Sequence, residues 1–87
     1  MNRRYHPCHL KIRFDNNITI VSNHNAELFF LSNTAKDIFL GYADQKTQGE
    51  IIDIIYKKNP GVDLKRIEED VLSITRFMME ANILYAE

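Results

Sequence analysis

The spacing of the apolar residues changes at Ser32, and this change constrains the fold more than any other feature of the chain. Between residues 10 and 32 apolar residues alternate with polar ones or form short runs, which is the period of β-strands. After Ser32 they recur at intervals of three and four residues, which is the period of amphipathic helices. Strands followed by helices predict an α+β fold rather than an alternating α/β one.

Turn residues divide the first part of the chain into three predicted strands. The strands cover about His9–Phe14, Ile18–Ser22 and Glu27–Leu31, and the turns between them are Asp15-Asn16-Asn17 and Asn23-His24-Asn25. Because both connections are short, the strands should pair as an antiparallel meander.

Three helices are predicted after the strands. They cover about Thr34–Tyr42, Gln48–Lys58 and Leu64–Asn82. Ser32 or Asn33 can cap the first helix, Thr47 and Glu50 have the spacing of a capping box for the second, and Asp63 can cap the third. The inward faces share helical spacing and comprise Ala35, Ile38, Phe39 and Tyr42, then Ile51, Ile52, Ile55 and Tyr56, then Leu64, Ile67, Val71, Ile74, Met78 and Ala81. The element order is close to a winged helix-turn-helix whose wing comes first.

Length and charge limit the functional classes. Eighty-seven residues predict a single domain over 1–87, too short for a two-domain enzyme with a cleft between its halves. Residues 1–13 hold four Lys or Arg and no acid, so residues 1–8 are expected to be a basic N-terminal arm, whereas the rest of the chain is net acidic. One cysteine, no membrane-length apolar run and no signal-peptide pattern predict a cytoplasmic protein without a membrane partner.

Residues that could support catalysis are scarce. His6, Cys8 and His9 are metal-ligand types, but a structural zinc site needs four ligands, and a position in the arm explains the cluster better. Cys8 has no histidine that the sequence can place beside it with a supporting carboxylate. There is no glycine-rich phosphate loop. We therefore expect no enzymatic activity, no metal and no cofactor.

The third predicted strand is apolar at four consecutive positions, Leu28 to Leu31. Both faces of this strand therefore need to be buried, although the three helices can form a layer on only one face of a three-stranded sheet. Either the N-terminal arm or the end of the third helix folds over the strand, or its edge receives a peptide as an added strand. The two interpretations are compatible with each other.

DNA binding is the alternative function. The second and third helices could form a helix-turn-helix with Lys65 and Arg66 at the start of the recognition helix. The next turn holds Glu68, Glu69 and Asp70, which would repel phosphates. The charge pattern therefore disfavours a nucleic-acid partner.

A series of short motifs runs in fixed order from Leu31 to Leu84. They are Leu31-Ser32-Asn33-Thr34-Ala35 before Ile38-Phe39, Asp44-Gln45-Lys46-Thr47 before Glu50-Ile51, and Asp70-Val71 before Ile74, Met78 and Asn82-Ile83-Leu84. In order and spacing this series resembles the PqqD-like family, the precursor-peptide recognition elements. The chain departs from the family pattern at Ser32, Asp44, Thr75 and Asn82, where Asn, Gly, Leu and Gly are common. Ser can cap a helix and Asn tolerates the left-handed backbone of a helix end.

The resemblance implies a non-catalytic adaptor with a winged helix-turn-helix-like fold. Such a domain binds the leader segment of a ribosomally made precursor peptide as an extra strand beside its third strand, in the cleft toward the third helix. It then presents the peptide to a radical SAM enzyme, to a lasso-type protease or cyclase, or to a heterocycle-forming enzyme, and no residue selects among them. The expected peptide-binding residues are Glu27, Leu28, Phe29, Phe30 and Leu31 on the strand and Val71, Ile74, Thr75 and Met78 on the helix.

Overall fold

The computed structural model describes residues 3–15 and 17–87. The elements in chain order are β1 (Tyr5–Pro7), β2 (Lys11–Asp15), β3 (Ile18–Ser22), β4 (Leu28–Leu31), α1 (Asn33–Ala43), α2 (Gln48–Lys58), α3 (Leu64–Glu80) and β5 (Leu84–Ala86). The predicted meander followed by three helices is confirmed, with β2, β3 and β4 as its three strands. Within the described ranges, no helix has both the length and the apolar character needed to cross a membrane.

The three-stranded sheet has the order β2-β3-β4, and both pairings are antiparallel. In the second pairing Thr19 lies opposite Leu31, and Val21 lies opposite Phe29. Thr19, Val21 and Leu31 are buried, so this face of the sheet packs on the helices. Because side chains alternate along a strand, Phe30 and its neighbours two residues away point to the opposite face.

The N-terminal segment is the main departure from the predicted fold. Tyr5–Pro7 pairs with Leu84–Ala86 as a separate two-stranded sheet, and the Tyr5 ring packs edge-on against Tyr42 at a centroid distance of 5.1 Å. The Cys8 amide also donates to the carbonyl of Ile83, at 2.9 Å. Residues 3–8 are therefore not a free arm. Strands of three residues are too short to show a hydrophobic period, so the sequence pattern did not predict them. Their pairing joins the N-terminal and C-terminal segments of the chain.

The core contains most of the predicted inward residues. All four predicted for α1 are buried, as are Ile51, Ile52 and Ile55 of α2. The predictions for Tyr56 and Leu64 are wrong, because both side chains are exposed. At 100° per residue, Tyr56 lies about 90° from the centre of the buried face of α2. Leu64 is on the correct side of α3 but in its first turn, where it borders a surface pocket beside Gly49 and Ile52 of α2.

The caps at the helix N-termini agree with those predicted from the sequence, with one exception. The Ser32 hydroxyl accepts a hydrogen bond from the Ala35 amide, and Thr47 and Glu50 form the predicted capping box. The bond from the Thr47 amide is the main cause that holds the pKa of Glu50 below its ordinary value. Asp63 has the extended backbone of an N-cap residue, but its carboxylate caps no amide, so that prediction is wrong in its chemistry.

The C-terminus of α3 ends two residues earlier than predicted and continues into a left-handed residue. Asn82 has φ 57°, its amide donates to the carbonyl of Met79 at 3.1 Å, and the Ile83 amide donates to the carbonyl of Met78 at 2.8 Å. This bonding pattern is a Schellman motif. It confirms that Asn82 adopts the left-handed backbone expected at this helix end.

Replacing Gln45 by glycine is expected to raise the free energy of unfolding by about 0.5–1 kcal/mol, because Gln45 holds a left-handed backbone where a Cβ is unfavourable. Gln45 has φ 62° at the end of α1, and its amide donates to the carbonyl of Tyr42. Urea denaturation measures the change. Asp44→Gly is the matched control, since Asp44 has φ −85° and gains nothing from glycine. Equal or lower stability of Gln45→Gly would contradict this account of the helix end.

Candidate functional site

One edge of the three-stranded sheet carries backbone groups without a strand partner among the described residues. The Asn23 amide donates to the carbonyl of Glu27 at 3.1 Å, so these residues form a hydrogen-bonded pair at the end of the β3–β4 ladder. Antiparallel pairs alternate, which directs the backbone groups of Phe29 toward β3 and those of Leu28 and Phe30 away from it. The N–H and C=O groups of Leu28 and Phe30 are thus available at the open edge.

A cleft separates this edge from α3. Every residue of both elements is described, and no Cα atom of β4 lies within 8 Å of a Cα atom of α3. Paired strands are about 4.8 Å apart, so α3 does not close the edge. Three apolar side chains line the cleft: the Phe29 and Phe77 rings meet edge-on with centroids 5.7 Å apart, and Ile74 is half-buried one turn before Phe77. We call the space between β4 and this side of α3 the β4–α3 cleft.

A pocket of about 280 Å³ lies beside the N-terminal half of α3. Its lining is mixed and consists of Thr34, Ile55, Asn59, Val62, Arg66, Ile67, Asp70 and Val71. Asp70 precedes Ile74 by four residues and Phe77 by seven, so these side chains lie along one side of the helix. This side of α3 is therefore apolar at Phe77 and becomes polar and charged toward Arg66.

The five residues predicted on the strand have different environments. Leu28 and Phe30 are 62% and 69% exposed and lie on the sheet face away from the helices. Phe29 is half-buried in the cleft, whereas Leu31 belongs to the core. Glu27 precedes the strand, and its carboxylate accepts a hydrogen bond from the side chain of Asn23. Phe29 is the predicted strand residue whose side chain faces α3 from the cleft, while Leu28 and Phe30 supply the free backbone groups.

The residues predicted on the helical wall also have different environments. Ile74 lies at the cleft, and Val71, although buried, contributes to the pocket beside it. Thr75 and Met78 are 2% and 0% exposed, so neither side chain can contact a peptide at the surface of the folded protein. Thr75 lies on the flank of the helical stripe that faces α1, because its hydroxyl hydrogen-bonds the Tyr42 hydroxyl at 2.9 Å.

Phe77 is the cleft residue that sequence reasoning missed. It lies outside the apolar stripe of α3, and its side chain is 47% exposed. The sequence contains one indication of this role. Phe77 is an aromatic residue three positions after Ile74, and it lies on the margin of the apolar stripe rather than within it. That position is also where a helix presents a large side chain to a groove instead of to the core.

The buried polar side chains connect the helices through hydrogen bonds. The Tyr42 hydroxyl bonds the Thr75 hydroxyl and accepts from the side-chain Nε2 of Gln48 at 3.2 Å, and these bonds join all three helices. Burial raises the pKa of Tyr42 despite these two bonds. Burial also raises the pKa of the Cys8 thiol, which disfavours the thiolate that a nucleophile requires. Among residues 3–15 and 17–87, no three His, Cys, Asp or Glu side chains come together as a metal site.

Comparison with known proteins identifies the fold. No family model matches the sequence, and no curated protein matches it. A solved structure of TbiB1 in complex with the TbiA(beta) leader peptide matches with a TM-score of 0.79 and 20% identity, over 90% of this chain and 93% of that chain. A lasso peptide synthetase B1 complexed with the leader peptide matches with a TM-score of 0.80 and 14% identity, over 98% of this chain and 99% of that one. The likeness spans nearly the whole of each chain and confirms the predicted α+β fold.

Proposed function

We propose that this chain is a non-catalytic binding protein that recognises the leader segment of a ribosomally synthesised precursor peptide by strand addition to β4. The single observation that carries the proposal is the free edge of β4 opposite α3, with an apolar cleft between them. The two structurally similar proteins are themselves complexed with leader peptides, which supports this use of the fold.

The geometry indicates how a leader would be held. A peptide strand beside β4 exchanges main-chain hydrogen bonds with Leu28 and Phe30. Its alternate side chains then point to the helical side, where they contact Phe29, Ile74 and Phe77. Two or three such side chains and a short strand supply about −7 to −12 kcal/mol, which corresponds to dissociation constants from about 1 nanomolar to about 10 micromolar.

The partner that receives the bound peptide belongs to the same proposal. Of the enzyme classes that the family resemblance implies, the lasso-type protease and cyclase are favoured, because one similar structure is named as a lasso peptide synthetase component. The chain would act by holding the leader while the enzyme modifies the rest of the precursor. Its expected effect is a gain in the enzyme's turnover of full-length precursor and little gain on a leaderless core.

Titration calorimetry tests the proposed function directly. The probe is a synthetic leader segment of any short precursor encoded beside this gene, and a scrambled peptide of the same composition is the control. We expect saturable binding, with backbone amide shifts concentrated at residues 27–32 in the nuclear magnetic resonance spectrum. No heat and no amide shift at these residues would refute strand addition.

The DNA-binding alternative gains no support from the structure. Arg66 lines the pocket beside the cleft, and Glu68, Glu69 and Asp70 follow within one turn of α3. Duplex binding that weakens steeply with salt, and that is lost in Lys65→Ala and Arg66→Ala, would favour the alternative.

Phe77→Ala is expected to weaken leader binding about tenfold, because it removes an aromatic wall of the cleft. The same change should cost little stability, since the side chain is half-exposed. Met79→Ala is the matched control, because Met79 is similarly exposed but lies on the opposite flank of α3. Calorimetry of the three proteins measures the difference. Equal losses of leader affinity in both variants would indicate that the peptide binds outside the β4–α3 cleft.

A further inference from the structure

Asn23 makes hydrogen bonds in two directions at one end of the β4–α3 cleft. Its side-chain oxygen accepts from the amides of Asn25 and Glu27, at 3.0 and 3.1 Å, and so shapes the turn that leads into β4. Its side-chain nitrogen donates to the carbonyl of Ala81 at 2.8 Å and to the Glu27 carboxylate at 2.9 Å. Asn23 is buried, although it lies in a turn.

The bond to Ala81 joins the two walls of the cleft. Ala81 is the C-cap of α3, and its carbonyl is one of those that a helix leaves without an internal partner. Ala81 follows Phe77 by one helical turn, and the turn held by Asn23 leads to Phe29. The ring contact between Phe29 and Phe77 therefore lies next to the hydrogen bond. Toward the N-terminal half of α3, by contrast, the pocket bordered by Thr34 and Arg66 lies beside the helix.

We propose that Asn23 is a positioning residue that fixes the width of the β4–α3 cleft by bonding the β3–β4 turn to the C-terminus of α3. The proposal rests on the proposed function for its effect on binding. A cleft held at a fixed width is organised before the peptide arrives, so binding does not have to order its walls. The consequence is a slower release of the bound leader, since most affinity changes within one interface appear in the dissociation rate.

Asn23→Asp separates the two roles of the side chain. The introduced carboxylate can still accept from the amides of Asn25 and Glu27, so the turn is retained. It cannot donate to the Ala81 carbonyl, so the bond across the cleft is lost. Loss of one buried hydrogen bond predicts a leader dissociation rate about tenfold faster than the parent's, measured by stopped-flow fluorescence with a labelled leader peptide. In the free protein, the nuclear Overhauser contact between the Phe29 and Phe77 rings should weaken.

Two controls isolate the bond to Ala81. Asn25→Ala alters an exposed side chain of the same turn and should release the leader at the parent's rate. Asn23→Asp also places a carboxylate beside Glu27, and the double variant with Glu27→Gln removes that repulsion. The double variant should still release the leader faster than the parent does. A return to the parent's rate would assign the effect to repulsion and overturn the role of Ala81.

The outcomes distinguish this proposal from the proposed function. If the parent binds leader and Asn23→Asp keeps both the parent's dissociation rate and the ring contact, the positioning role is refuted and the function stands. If the parent binds no leader, the proposed function fails, and the ring contact in the free protein still decides whether Asn23 sets the cleft. If Asn23→Asp does not fold, Asn23→Ser replaces it, because a hydroxyl can hold the turn but is too short to reach Ala81.

Discussion

Phe30→Pro is expected to lower the affinity for the leader peptide about 100-fold while the protein stays folded, because proline lacks the N–H that the edge offers and its ring obstructs the incoming strand. The N–H of Phe30 points away from β3, so its loss leaves the β3–β4 ladder intact. The Phe30 side chain is 69% exposed, so its removal costs the core little. Calorimetry with the leader peptide measures the affinity, and circular dichroism must first show a native spectrum.

Two further substitutions make this test specific to the backbone. Phe30→Ala keeps the N–H and should retain most of the affinity. Phe29→Pro removes an N–H that points into the ladder, so it should disrupt the sheet itself. A folded Phe30→Pro variant that binds leader as tightly as the parent would exclude main-chain pairing at this edge.

Thr75→Arg is expected to lower the stability of the fold strongly, because Thr75 is 2% exposed and its hydroxyl bonds Tyr42 between two helices. A guanidinium at this position is buried without a counter-charge, which costs about 4–5 kcal/mol. A chain of this length has a total stability of about 4–13 kcal/mol, so the loss removes from about a third to all of it. The midpoint of urea denaturation measures the effect.

The controls for this second prediction lie on the same helix. Ser73→Arg places the same charge on the exposed side of α3 and should change stability by about 0.5 kcal/mol or less. Thr75→Val keeps the shape but removes one hydrogen bond, at a cost of about 1–2 kcal/mol. A Thr75→Arg variant that folds normally and only loses leader binding would indicate that Thr75 lines the β4–α3 cleft, and it would contradict the burial of this side chain.

The helices and the meander were predictable because their determinants are local. The capping box of Thr47 and Glu50 and the turn residues between the strands act within a few positions of the chain. The apolar run at Leu28–Leu31 also identified the strand that needs an additional partner. Pairing of Tyr5–Pro7 with Leu84–Ala86 was not predictable, because segments of three residues carry no period and meet only after the chain has folded.

The sequence by itself determined the fold class, the caps of the first two helices, and the strand whose edge is exposed. Only the tertiary structure decided which flank of α3 forms the other wall of the cleft. Thr75 and Phe77 both border the apolar stripe, on opposite flanks, and helical periodicity treats the two flanks alike. The placement of α1 against one flank buries Thr75 on Tyr42, whereas the position of β4 brings Phe29 to Phe77 on the other. These contacts join residues more than 30 positions apart, and no local pattern in the chain encodes them.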